Sequence, residues 1–470
     1  MGIMKSKIGK NLIYNISYQM LAFLAPLITT PYVSRVLGPH NIGIYSYNYS
    51  IAYYFVIFIM LGLNNYGNRQ IAKGKVEGNG NVERIFCEIY SMQISIAIIV
   101  IMGYIFYGIF IGKTIIVWLF FPYVLSGMLD INWLFFGLER FDLTVFRNSV
   151  IKIFTIILVF VLVKNSDDIS IYCLLMAGSY LASQVIMWMF LRKIIKFHWV
   201  PFSVFRKHIR PNIILFIPII AVSLYKIMDK IMLGQMSTLI EVGFYESAEK
   251  VIAIPMGIVT AIGTVMLPRI SSLVKTDEEA ANKFFLPMIG VSMFLVSALC
   301  FGMISVSTEF IPVFYGKGYD KCILLYMILL PSTLFLAYSN VVRTQYLIPF
   351  EQDWIFIISV IIGAIVNIVI NTLLIPRYAS VGAAVGTLLA EGSVCVFQIV
   401  ASFKKLEQRE SIKCAITFMM NGIIMYASIR KIYYNNNMIT ILLKIAIGGI
   451  VYIALFLIEY RKNIKVAISK

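Results

Sequence analysis

Charge is scarce in this chain: Asp, Glu, Lys and Arg make up 13% of its 470 residues. A soluble domain carries about a quarter charged residues, so a water-facing globule of this size is excluded. Histidine is rarer still, with His40, His198 and His208 far apart in the sequence. The six cysteines (Cys87, Cys173, Cys300, Cys322, Cys395, Cys414) form no CxxC pair. These gaps argue against a metal site and leave no basis for a disulfide framework. No P-loop, HExxH or DxD is present, so the sequence offers no catalytic residues and no cofactor motif.

What is abundant is apolar. Hydrophobic residues reach 60% and mean hydropathy is +0.85. Runs of about 20 apolar residues, long enough to cross a bilayer, recur from 12–33 to 438–458 and number fourteen. The expected fold is therefore all-α and integral to the membrane. Lys5, Lys7 and Lys10 before the first run resemble a signal peptide. That run is too long for a signal core and ends without a small-x-small site, so it reads as an uncleaved first crossing. With 28 Tyr and 33 Phe, aromatics are plentiful enough for interfacial belts and a stackable cavity lining.

The formal charge of +17 invites a nucleic-acid reading, but its placement argues for topology. With a cytoplasmic N-terminus, 27 of the 40 Lys/Arg fall in cytoplasmic segments and 9 in external ones. The remaining four, Lys152, Lys226, Lys230 and Lys444, lie within helices. A threefold bias places both termini in the cytoplasm of a bacterial-type cell membrane, where excess Lys/Arg marks the inner side. The basic segment from Arg192 to Arg210 then divides the chain into an N-lobe (1–198, helices 1–6), a C-lobe (199–405, helices 7–12) and a terminal helix pair (406–470).

The two lobes echo each other. Ile42-Gly43-Ile44-Tyr45 matches Val242-Gly243-Phe244-Tyr245, and Gly43 precedes Arg69 by the interval that separates Gly243 from Arg269. Phe110-Ile111-Gly112-Lys113 is matched by Phe314-Tyr315-Gly316-Lys317. Six helices between copies keep each motif on one side, which predicts a parallel repeat of the kind alternating-access carriers use.

Several of these stretches carry a family resemblance. Ser34-Arg35-Val36-Leu37-Gly38-Pro39, GLNNYGNRQIA (Gly62 to Ala72), WLFFGLERF (Trp133 to Phe141) and LYKIMDKIMLG (Leu224 to Gly234) come first. VGFYESAEKV (Val242 to Val251), MLPRIS (Met266 to Ser271), FYGKGY (Phe314 to Tyr319) and NIVINTLLIPRYASVGAA (Asn367 to Ala384) follow in order. The ordered set resembles the Wzx-type polysaccharide repeat-unit flippases of the multidrug/oligosaccharidyl-lipid/polysaccharide exporter superfamily, over roughly residues 10 to 405. One departure is Ala379-Ser380, where a glycine-led turn is expected. The resemblance implies two six-helix lobes around a central cavity and transport of undecaprenyl-pyrophosphate-linked oligosaccharide to the outer leaflet. It also implies alternating access driven by an H+ or Na+ gradient, with membrane lipids and other polysaccharide-assembly proteins as partners and no nucleic acid.

Such a substrate calls for cations and hydroxyl-bonding groups, and ionisable residues inside a membrane are expensive unless they have a partner or ligand. Lys226, Asp229 and Lys230 at i, i+3 and i+4 are expected on one face of helix 7. Asp229 would neutralise one lysine and leave the other for phosphate, with interfacial snorkelling as the alternative for Lys230. Arg35 is a further phosphate candidate or an interfacial anchor. Asn367 and Asn371, one turn apart, either bond sugar hydroxyls or join helices. Glu391, mid-way along helix 12, needs a proton or a cationic partner. It leads the ion-coupling candidates, with Asp229 and Asp130 beside it. Arg343, which closes helix 10, is open between anchor and ligand. A multidrug or cation antiporter would favour an acidic lining, whereas the helix 7 triplet is net positive. A membrane polysaccharide polymerase would need a catalytic loop that the short external connections lack.

Overall fold

In a bilayer each backbone polar group needs an internal partner, so long apolar runs become helices. The computed structural model describes residues 2–192 and 195–468, and all regular structure among them is helical. Met1 and Lys470, the two chain ends of the expected topology, lie outside these residues.

Thirteen stretches among the described residues are long and apolar enough to span a membrane. The first, Ala25–Glu77, has 53 residues and would run about 80 Å as one straight helix, far beyond a hydrocarbon core of about 30 Å. It is broken at Gly38, where φ is 74° and ψ 170°, a conformation essentially closed to residues with a Cβ. Pro39 follows, with no N–H to continue the ladder. This stretch therefore carries two crossings, and fourteen result, as the hydropathy predicts. Large apolar side chains such as Ile99, Phe106, Ile153 and Leu442 are exposed, as lipid-facing positions require.

The chain forms two compact units, Met1–Ser223 and Leu224–Lys470. The division lies later than the expected 198/199, inside the helix Ile209–Lys226. The reason is that the basic linker is attached to the first unit. Val200 N donates to Ser91 Oγ at 3.1 Å. The His208 ring donates from Nε2 to Glu88 at 2.8 Å and accepts at Nδ1 from the Tyr66 hydroxyl at 2.7 Å. Lys207 reaches the same Glu88 oxygen at 2.8 Å. Ile195, Val200 and Phe205 join a core containing Phe86, Trp133, Phe135 and Leu191.

Two motif segments of the first unit prove to be packing partners. The helix Leu63–Glu77 lies so close to Asn132–Gly137 that a Cβ on Gly67 would strike the Trp133 ring, and one on Gly137 would strike Ile71. Trp133 Nε1 donates to Gln93 Oε1 at 3.1 Å, and Gln93 Nε2 donates to the Gly127 and Asp130 carbonyls at 2.9 Å each. Those carbonyls belong to the last turn of the helix Phe121–Leu129 and the break after it, where an unpaired group would be costly.

In the second unit the terminal pair, Gln408–Ile429 and Asn437–Ile468, packs on Phe285–Phe314. Lys444 Nζ lies 2.7 Å from Glu309 Oε1 and donates to the Ser305 carbonyl at 2.9 Å, and both charged groups are buried. This ion pair binds the last helix to its neighbour.

Candidate functional site

Helix 7 does not run straight through its charged residues. It stops at Lys226, turns at Ile227 and resumes as Met228–Met236. The break falls between Lys226 and the Asp229/Lys230 pair, so the three do not share one continuous helical face. Lys226 is exposed, whereas Asp229 and Lys230 are buried.

Asp229 does not neutralise a lysine. Its carboxylate accepts hydrogen bonds from the Tyr245 hydroxyl at 2.6 Å, Thr387 Oγ1 at 2.7 Å and Asn371 Nδ2 at 2.6 Å. Asn371 also donates to Asn367 Oδ1 at 3.1 Å. Both asparagines are fully buried, so here they surround a carboxylate and are closed to a sugar. Gly386 creates the seat, since a Cβ there would collide with Asn371 Oδ1. Asn371 Oδ1 and Asn367 Nδ2 find no partner. The cluster thus contains a carboxylate, two hydroxyls and two amides, with oxygen and nitrogen both still able to bond.

Lys230 is matched by acids the sequence reading passed over. Its Nζ lies 2.6 Å from Glu246 and 2.8 Å from Glu249, and Lys250 lies 3.2 Å from Glu246. With its charge so engaged, Lys230 is an ion-pair member in this state. The signal was present in VGFYESAEKV, where Glu246 and Glu249 share a helical face and Lys250 is four residues beyond Glu246. These acids also alter the charge count. Asp229, Glu246, Glu249 and Glu391 face Lys226, Lys230 and Lys250, so the net-positive interior expected from helix 7 alone is not found.

Glu391 is buried at 3% exposure, within electrostatic range of Lys226 and Asp229. Tyr225, next to Lys226, is within electrostatic range of Glu391 and of Arg343. The structure thus brings Lys226, Asp229, Glu391, Asn367 and Asn371 into one polar region of the second unit.

Asp130 and Arg35 belong to the first unit. Asp130 Oδ1 accepts from the Asn132 backbone N–H at 2.9 Å and so caps the break between Phe121–Leu129 and Asn132–Gly137. That structural task accounts for its depth. Arg35 is exposed, less than one turn before Gly38. Tyr49 on the following helix contacts Tyr45 and Tyr53 and meets Tyr123 and Tyr180, stacked 5.2 Å from Tyr123.

Residues 8–274 match the model of a family described as polysaccharide biosynthesis protein. The chain is 24% identical over 395 residues to a putative O-antigen transporter of Escherichia coli K12, covering 82% of this chain and 94% of that one. A probable low-salt glycan biosynthesis flippase, Agl15 of Haloferax volcanii, is 25% identical over half of each chain. Among solved structures, the lipid II flippase MurJ in its inward closed conformation superposes with a TM-score of 0.78 at 16% identity. The match covers 97% of this chain and 99% of that one. The shared fold and the extent of the family match, more than half the length, bear out the motif resemblance: this multi-pass membrane protein belongs to the polysaccharide biosynthesis protein family.

Proposed function

We propose that the chain is a flippase. It moves an undecaprenyl-pyrophosphate-linked oligosaccharide repeat unit across the bacterial cytoplasmic membrane by alternating access, with both termini on the cytoplasmic side. The observation that carries this reading is the alignment with a putative O-antigen transporter over 94% of that protein's length. Lys226 is the proposed pyrophosphate ligand: it is exposed, and no carboxylate among the described residues lies within ion-pair distance. A lysine acts there as a point charge that can follow a moving ligand and release it. The enzymes that build and polymerise the glycan are the proposed partners.

Asp229 is the proposed seat of ion coupling, with Glu391 as the second carboxylate. A buried carboxylate among hydroxyl and amide oxygens suits either a proton or Na+, since hard cations take oxygen ligands. Turning the Asn371 amide would present Oδ1 in place of the N–H. The test is translocation of a fluorescent lipid-linked glycan by proteoliposomes under imposed H+ or Na+ gradients. Asp229→Asn should abolish the gradient's effect, and the ion that drives the parent protein identifies the coupling. Gradient-driven transport by Asp229→Asn at the parental rate would rule out this seat. The buried carboxylates Asp229 and Glu391 support a second reading, cation or drug antiport, which drug extrusion without glycan transport would favour.

A further inference from the structure

A cation held within a membrane protein needs a counter-charge, because its desolvation otherwise costs several kcal/mol. Most such lysines of the second unit are matched: Lys230 by Glu246 and Glu249, Lys250 by Glu246, Lys444 by Glu309 and Lys321 by Glu241. Arg343 is not. Among the described residues it has no carboxylate within ion-pair distance and donates no hydrogen bond, and its Nε is buried without an acceptor. Its guanidinium lies 5.5 Å from the centre of the Phe356 ring, an attraction that orients it but satisfies none of its donors.

The backbone around Arg343 is also unusual. The helix Ser332–Val342 widens into a π-helical turn, Arg343–Leu347, packed on Leu239–Thr276 and Asp353–Tyr378. Wide turns of this kind recur at functional sites. Two amide oxygens in or beside the turn, Asn340 Oδ1 and Gln345 Oε1, are buried and receive no donor. One short segment therefore has an unmatched guanidinium and two unmatched acceptors. The guanidinium calls for a ligand with anionic oxygens, as a pyrophosphate has.

We infer that Arg343 is a second anion ligand beside Lys226, gripping the pyrophosphate of the lipid-linked glycan. Tyr225, adjacent to Lys226 and within electrostatic range of Arg343, links the two cations. Arginine supplies a planar fork that fixes orientation, and lysine supplies a mobile charge. Arg343 is near the end of its span that the charge census places in the cytoplasm, so it meets the pyrophosphate before Lys226 does.

The inference rests on the proposed substrate, and its test separates the two. Binding of undecaprenyl pyrophosphate and of undecaprenol to the full chain in nanodiscs is measured by calorimetry. The parent should prefer the pyrophosphate. Arg343→Gln should weaken pyrophosphate binding about tenfold, on the scale of one lost charge-assisted contact, and leave undecaprenol binding unchanged. Arg343→Lys, which keeps the charge and the fold, should weaken it a few-fold. Parental affinity in Arg343→Gln, or in Arg343→Lys should the former not fold, overturns the role of Arg343 alone. A parent that does not distinguish the two lipids overturns the substrate reading with it.

Discussion

The two units begin from the same motif and build different interiors. In the first, Tyr45 follows Gly43-Ile44 and packs edge-on against Tyr172 at 4.9 Å, with Tyr49 one turn later stacked on Tyr123. In the second, Tyr245 follows Gly243-Phe244 and donates its hydroxyl to Asp229. At the place of Tyr49 stands Glu249, which pairs with Lys230. One copy is aromatic and neutral, the other ionic. An apolar exterior and a helix break are enough to preserve the architecture, because lipid reads only the outer surface. The inward residues are then free to diverge, and the second copy carries buried ionic groups in place of the aromatic ones.

The comparison can be broken most sharply at Lys230. Lys230→Met leaves the buried Glu246 with Lys250 alone and the part-exposed Glu249 without its cation, and should destabilise the protein by about 1–3 kcal/mol. Adding Glu246→Gln and Glu249→Gln should recover much of that loss. The check is the apparent melting temperature of the purified variants in detergent. A Lys230→Met variant as stable as the parent would mean that the ionic interior contributes nothing beyond packing.

A milder contrast sets Tyr245→Phe against Tyr45→Phe. Removing the Tyr245 hydroxyl takes one of three donors from a buried carboxylate, a loss of about 1–3 kcal/mol, and should shift the gradient dependence of transport. Tyr45→Phe keeps the ring contacts and removes a hydroxyl from an uncharged aromatic cluster, so it should cost less than the loss at a carboxylate, about 1 kcal/mol. Equal effects at both positions would remove the distinction between the units.

A contrast of backbone alone is found at the turns. Gly38 in the first unit and Ala379 in the second both have positive φ, 74° and 50°. Gly38→Ala should cost about 1–3 kcal/mol in backbone strain, and Ala379→Gly should gain up to about 1 kcal/mol. Thermal melts of the two variants should therefore move in opposite directions.

Ala379 also shows how well local backbone demands are written in a sequence: a glycine-led turn is expected there, and the alanine present is held at positive φ. The Gly38-Pro39 break was equally legible, because it depends on two adjacent residues. The role of Asp130 was not. Its depth suggests a functional carboxylate, but the neighbouring helix ends at Leu129, and the side chain caps the backbone two positions on. Asn367 and Asn371 are one helical turn apart, and the Asn371 amide donates to Asn367 Oδ1. That their partner is Asp229 follows from Gly386 letting two helices approach closely, and no local pattern reports that.

By itself the sequence determined the solvent, the helical class, the number of crossings and the family. Hydropathy, helical period and ordered motifs are properties of neighbouring residues, and lipid enforces them everywhere. Only the tertiary structure decided which charges meet. The turn at Ile227 separates Lys226 from Asp229 and Lys230. Lys230 then finds Glu246 and Glu249 on the next helix, Asp229 finds Tyr245, Thr387 and Asn371, and Arg343 is left unmatched. Ion pairs and hydrogen bonds form across space between helices, and their choice of partner depends on rotations of a few tens of degrees that composition and spacing do not encode.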